Sequence, residues 1–72
     1  MSTHLPVVSG GELERALKRA GFERVRKRGS HIIMQRGSVE VAVPEHRTIA
    51  KGTLAGILRT LDMTPDDLRA LL

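Results

Sequence analysis

Two glycines in the middle of this chain separate three short segments that have the composition of β-strands. Gly29 and Gly37 supply the positive φ angles that tight hairpin turns require. In the third segment, Val39, Val41 and Val43 alternate with residues suited to the opposite face of a sheet. We therefore predict a meander of three antiparallel strands over residues 22–28, 30–36 and 38–43.

Helical patterns flank these strands. Ser9 and Glu12 have the spacing of a capping box, apolar residues then recur at helical intervals, and Gly21 is placed to end the helix. The glycines after Ser9 could instead present backbone N–H groups to an anion, but capping is the preferred interpretation because no phosphate-loop spacing is present. A second helix is predicted over Lys51–Leu61 and a short third one after Thr64. The predicted fold class is α+β: helix, three-stranded antiparallel sheet, helix and a short C-terminal helix, with one sheet face left free.

The second strand decides which residues that free face carries. If Ile32 and Met34 pack inward, His31, Ile33 and Gln35 point away from the core. The opposite assignment would bury a histidine and a glutamine, which is costly unless both find hydrogen-bond partners. We therefore expect His31 on the free face.

Composition excludes several classes of protein. The 72 residues suffice for one small domain, predicted over residues 1–72. Phe22 is the single aromatic residue, so a sheet that stacks several bases is excluded. The chain has no cysteine, which removes disulfides, thiolate nucleophiles and Cys-type zinc sites, and a reducing cytoplasm is the expected compartment. No apolar run approaches the ~20 residues that span a bilayer, so no membrane association is expected.

Positive charge is concentrated in one third of the chain. The formal net charge is +4, yet residues 15–36 alone carry eight basic residues against one acidic residue. Folding is expected to bring them into one basic patch, which would suit a nucleic acid, although a solvated surface is the plain alternative. The bases on the predicted first helix and first strand are Arg15, Lys18, Arg19, Arg24, Arg26, Lys27 and Arg28.

The basic run ends directly before a histidine, and this pairing suits metal-independent cleavage of RNA. Imidazoles exchange protons near neutral pH, so His31 is the candidate general base or acid. Lys27 and Arg28 are predicted to hold the scissile phosphate, because fixed cations stabilise the charge that develops on it. Arg24 and Arg26 are predicted to hold flanking phosphates, contacts that carry little sequence information.

Three further residues have open roles. Ser30 would hydrogen-bond the imidazole or the phosphate, or serve only as a turn residue. His46 would be a second proton-transfer group if its loop folds back over the sheet, or else a loop or helix-capping residue. His4 is expected in a frayed tail and has no assigned role. Because the three histidines lack ligand spacing, neither a metal nor another cofactor is expected.

Five blocks in order give the chain a resemblance to a known family. The blocks are Val7-Val8-Ser9-Gly10, Gly21-Phe22, Arg28-Gly29-Ser30-His31, Val43-Pro44-Glu45-His46 and Lys51-Gly52-Thr53-Leu54. From about Leu5 to Leu72 the chain resembles the HicA toxins, also called YcfA-like mRNA interferases. The resemblance implies a fold like a double-stranded RNA-binding domain, endoribonuclease activity on mRNA, and a HicB-type antitoxin partner. It also places the catalytic histidine of the family at His31.

Two other classes of function remain alternatives to a ribonuclease. A non-catalytic RNA-binding domain would use the same basic residues and would keep its RNA affinity when His31 is changed. A protein-interaction module would use the free sheet face and would show no salt-dependent affinity for RNA.

Overall fold

The computed structural model describes residues 4–72, so the first three residues of the predicted 1–72 domain lie outside the described part. The chain forms a helix, three strands and two helices in the predicted order. Their bounds are α1 Gly10–Arg19, β1 Glu23–Arg28, β2 His31–Arg36, β3 Val39–Pro44, α2 Lys51–Thr60 and α3 Pro65–Leu71. The α+β class is confirmed.

The three strands form one antiparallel sheet in the order β1-β2-β3, with two-residue loops at both turns. Gly29 and Gly37 have φ angles of +58° and +59°, as the turn prediction required. The strand bounds differ slightly from those predicted, because β3 continues through Pro44, which pairs with His31. Proline is tolerated there because β3 is an edge strand.

A β-bulge at Val25 changes which face each basic residue of β1 occupies. The register shifts between Arg24 and Arg26, leaving Val25 without a partner on β2. Arg24 is therefore opposite Met34, and Lys27 is opposite Ile32. Cross-strand partners share a face, so Arg24 and Lys27 lie on the side of the sheet that faces the core.

The other two bases of β1 occupy the opposite side, which we call the open face. It carries His31, Ile33 and Gln35 of β2 together with their cross-strand partners. Arg28 is opposite His31, and Arg26 is opposite Ile33. His31 is exposed, whereas Ile32 and Met34 are buried in the core, so the predicted orientation of β2 is confirmed.

The core lies between the sheet and the helices. Leu13 and Leu17 of α1 and Leu54 and Leu58 of α2 pack there with Met34 and the other buried apolar side chains. The predicted capping box at Ser9 with Glu12 forms, and a second one forms at Thr64 with Asp67. These caps satisfy backbone donors that would otherwise lack partners at the helix starts.

The start of α1 packs tightly against the loop that follows β3. The Gly10 N–H donates to the His46 carbonyl at 2.8 Å, and the Ile49 N–H donates to the Val8 carbonyl at 2.9 Å. A Cβ on Gly10 would overlap the carbonyl oxygen of Pro44. Glycine is needed here for close backbone approach, and the Gly10 N–H is already used, so the anion-binding alternative does not apply.

Candidate functional site

His31 and Arg28 lie side by side at one end of the open face. They are cross-strand partners at the β1–β2 turn, and both side chains are exposed. Next to them the surface forms a depression of about 310 Å³, lined by Arg28, His31, Ile33 and Ala42. A proton-exchanging group and a cation thus border one shallow site that solvent and large ligands can reach.

The four basic residues of β1 differ in their ionic partners. Arg24 contacts Glu14 at 3.6 Å, Arg26 contacts Glu40 at 3.1 Å and Lys27 contacts Glu45 at 2.7 Å. Arg28 makes no ion pair within the described residues 4–72. Of these four cations, Arg28 therefore has the charge most available to an incoming anion.

Lys27 and Arg28 were both predicted to hold the scissile phosphate, but the strand geometry places them on different faces of the sheet. The two are neighbours in sequence, but their cross-strand partners, Ile32 and His31, occupy opposite faces of the sheet. Adjacent strand residues point to opposite sides, so a phosphate held beside His31 meets Arg28 rather than Lys27.

An ion pair crosses the central strand on the open face. Arg26 extends from β1 and Glu40 from β3, so their 3.1 Å contact spans β2. The bridge explains why Ile33 is only 5% exposed although it lies outside the core cluster. It also forms a polar boundary on the side of Ile33 that lies away from His31.

The β1–β2 turn is fastened to the loop after β3. The Glu45 N–H donates to the Ser30 carbonyl at 2.7 Å, and the Glu45 carboxylate binds Lys27. The hydrogen bond from Lys27 lowers the pKa of Glu45 below its ordinary value; desolvation opposes this shift, and the charges of Lys27 and Arg24 add to it. These contacts hold the end of β1 and the turn that leads into His31, and Ser30 takes part through its carbonyl rather than its side chain.

The other two histidines lie outside the depression. His46 is exposed in the loop after β3, and its carbonyl accepts from Gly10 on the helical side. It does not line the depression that His31 borders. His4 is exposed ahead of α1. The structure thus brings Arg28 to His31, and it does not bring His46 into the same site.

The predicted single basic patch forms only in part: Lys18 of α1 and Arg24 of β1 meet at Glu14, whereas Arg26 and Arg28 lie on the open face. Glu14 is nearly buried and binds both Lys18 at 3.3 Å and Arg24. Arg19 donates to the Leu71 carbonyl at 2.7 Å, which ties α1 to α3. Much of this positive charge is therefore used within the fold.

The part of the chain that the structure describes has no group of three His, Cys, Asp or Glu side chains able to hold a metal ion. Among the described residues, no helix is long and apolar enough to cross a membrane.

Residues 10–63 match the profile of the family described as HicA toxin of bacterial toxin-antitoxin systems. The chain belongs to the HicA toxin family. The matched region runs from the start of α1 past the end of α2 and contains the whole sheet. Comparisons with curated proteins and with solved structures return no significant match.

Membership in the HicA family places the chain among the toxins of toxin–antitoxin systems, and it implies an antitoxin partner. The observed fold is consistent with the double-stranded RNA-binding-domain likeness of HicA proteins. Both Arg28 and His31 lie inside the matched region, whereas the whole of α3 lies beyond it.

Four residues around the candidate site were given no functional role by sequence reasoning. Ile33 and Ala42 line the depression, while Glu40 and Glu45 bind cations of β1. The alternation of β3 gave a usable signal, because it places Glu40 and Ala42 together on the face opposite Val41 and Val43. The Glu45 contact had no local signal, since it depends on how the loop after β3 packs.

Proposed function

We propose that this HicA-family chain is a metal-independent endoribonuclease that cleaves mRNA and is neutralised by a HicB-type antitoxin. The observation that carries the proposal is the exposed His31 beside Arg28, the one cation of β1 without an ionic partner in residues 4–72. These two side chains supply a proton-transfer group and an anion-binding group on one accessible face.

The reaction needs a base, a group that stabilises negative charge on the phosphate, and an acid. A base takes the proton of a 2′-hydroxyl, and the freed oxygen attacks the adjacent phosphorus. The new P–O2′ bond forms as the P–O5′ bond breaks, and the O5′ leaving group takes a proton. The products are a 2′,3′-cyclic phosphate and a 5′-hydroxyl. His31 would accept or donate one of these protons, and Arg28 would bind the phosphate oxygens as their negative charge grows.

The second proton has to come from another group. The attacking and leaving oxygens lie in line on opposite sides of phosphorus, so one imidazole cannot reach both at once. Water fills this role most directly, because the depression is open to solvent. His46 lies outside the depression and would need its loop to move before it could contribute.

The remaining cations would act on neighbouring phosphates. Each of the other three cations of β1 already binds a carboxylate: Arg24 at 3.6 Å, Arg26 at 3.1 Å and Lys27 at 2.7 Å. An RNA phosphate must therefore displace or share that carboxylate. Their contribution to affinity is therefore smaller than that of Arg28. The exposed Ser30 side chain stands beside His31 and could hydrogen-bond a phosphate oxygen.

The direct test is incubation of the purified chain with mixed single-stranded RNA in excess chelator, followed by analysis of the product ends. We expect cleavage with 2′,3′-cyclic or 3′-phosphate ends, because no metal-activated water takes part. Intact RNA bound with salt-dependent affinity would instead support a non-catalytic RNA-binding domain. Absence of both cleavage and binding would support a protein-interaction module.

A further inference from the structure

The depression beside His31 has a floor that phosphate binding does not explain. Ile33 and Ala42 are cross-strand partners on the open face, and they line the depression together with Arg28 and His31. Aliphatic side chains offer nothing to a phosphate. An apolar floor beside two groups suited to a phosphate matches a ligand that is charged at one end and apolar at the other.

The dimensions of this surface match one nucleotide. Ile33 and its cross-strand partner Ala42 lie two strand residues from His31, or about 7 Å at ~3.4 Å per residue. A ligand that places phosphate at His31 can therefore lay its base over the exposed Ala42 and the small exposed part of Ile33. The Arg26–Glu40 bridge crosses β2 beyond Ile33 and closes the far side. Between the bridge and His31 there is room for one base.

The chemistry of the walls also suits a base. The only aromatic ring of the chain, Phe22, is buried and covered by Arg36, whose guanidinium carbon is 4.6 Å from the ring centroid. Stacking inside the depression must therefore use the imidazole of His31 or the guanidinium plane of Arg28, and both types of group stack on bases in RNA complexes.

We infer that the depression lined by Arg28, His31, Ile33 and Ala42 is a subsite for the single nucleobase next to the scissile phosphate. The inference rests on the proposed ribonuclease activity and adds the part of the substrate that the open face holds. A base in this position would fix the ribose near His31, so the subsite would position the 2′-hydroxyl as well as add affinity.

The test uses 2′-O-methyl RNA with one free 2′-hydroxyl, so that cleavage occurs at one known phosphate. Three further substrates lack the base on the ribose before that phosphate, on the nucleotide after it, or four nucleotides away. We expect kcat/KM to fall at least about fivefold for one of the two adjacent positions and to stay unchanged for the distant one. Equal cleavage of all four substrates would overturn the subsite while leaving the ribonuclease intact.

A protein variant gives an independent measurement. Ala42→Leu fills part of the depression and leaves His31 and Arg28 unsubstituted, and Ala70→Leu adds the same side chain to an exposed position of α3 as a control. We expect Ala42→Leu to raise KM at least about fivefold. This variant should also no longer prefer the complete substrate over the one that lacks the adjacent base. Ala70→Leu should do neither. If Ala42→Leu does not fold, the base-free substrates decide alone.

Failure of the ribonuclease would look different from failure of the subsite. If the wild-type chain cuts none of these substrates, the methyl NMR signals of Ile33 and Ala42 are followed during titration with the uncut oligonucleotide. Shifts that require the adjacent base would support the subsite in a binding protein, and the absence of shifts would overturn it.

Discussion

Lys27 and Arg28 are adjacent cations with opposite surroundings. Lys27 faces the helical side of the sheet and binds Glu45 at 2.7 Å, whereas Arg28 stands beside His31 without an ionic partner in the described part of the chain. A cation that already holds a carboxylate gains less from a phosphate than one that holds only water. Sequence position alone therefore does not show which of these cations is more available to a phosphate, whereas the strand register does.

This ranking predicts unequal effects of charge removal. Arg28→Gln should weaken binding of single-stranded RNA about tenfold, since it removes a charge-assisted contact, and Lys27→Gln should weaken it less. Arg59→Gln removes an exposed cation from α2, on the helical side, and serves as the control. Fluorescence anisotropy at fixed salt gives the affinities. A larger loss for Lys27→Gln than for Arg28→Gln would contradict the assignment.

The Lys27–Glu45 contact predicts a lowered pKa that NMR can measure. The Lys27 hydrogen bond lowers the pKa of Glu45 from the ordinary 4.5, so its carboxyl carbon should titrate below that value. The folded-state pKa is below the unfolded one, so the contact stabilises the fold above pH ~4.5 and is lost as pH falls through the lowered pKa. In Lys27→Gln the midpoint should return towards the ordinary value. An unchanged midpoint would mean that the contact does not persist in solution.

At the level of elements, the start of α1 and the loop after β3 determine how the site is supported. Gly10 lets the α1 backbone approach Pro44, and Glu45, the next residue, holds both the Ser30 carbonyl and Lys27. The helix start, the loop and the β1–β2 turn are thus linked through a few contacts. Disturbing the helix start should reach the turn that carries Arg28 and His31.

Substitution of Gly10 tests this arrangement. Gly10→Ala should lower the free energy of unfolding by about 1–3 kcal/mol, because the new methyl group overlaps the Pro44 carbonyl. Gly56→Ala is the matched control in α2, where a Cβ meets nothing within 4 Å and should stabilise the helix by up to ~1 kcal/mol. Urea unfolding of the two variants gives the comparison. Equal stability of the two variants would show that α1 does not pack as described.

Local patterns predicted most of the elements because local physics determines them. The capping boxes at Ser9 and Thr64 and the turn at Gly29 depend on residues within a few positions of each other. The bulge at Val25 has no such signal, and it places Arg24 on the opposite face from Arg26. The expected single basic patch therefore forms only in part, because Glu14 brings Lys18 and Arg24 together while Arg26 lies on the open face. The short helix predicted after Thr64 forms over Pro65–Leu71.

For the whole molecule, the formal net charge of +4 overstates the charge available to RNA. Carboxylates bind Lys18, Arg24, Arg26 and Lys27, so few cations can neutralise phosphates without losing a partner. We expect the logarithm of RNA affinity to fall with the logarithm of salt concentration with a slope no steeper than about −3, which corresponds to four or fewer phosphates. Fluorescence anisotropy titrations at a series of salt concentrations measure this slope. A slope near about −6 would mean that all eight bases of residues 15–36 take part.

The most direct test of the account compares cleavage and binding in the same His31→Ala protein, beside wild type and His46→Ala, with RNA in excess chelator. The account predicts that His31→Ala cuts RNA at least about a hundredfold more slowly, since a general acid–base group is lost. Its RNA affinity should stay within about threefold of wild type, because Arg28 remains, and His46→Ala should keep most of the activity. Undiminished cleavage by folded His31→Ala would contradict the account.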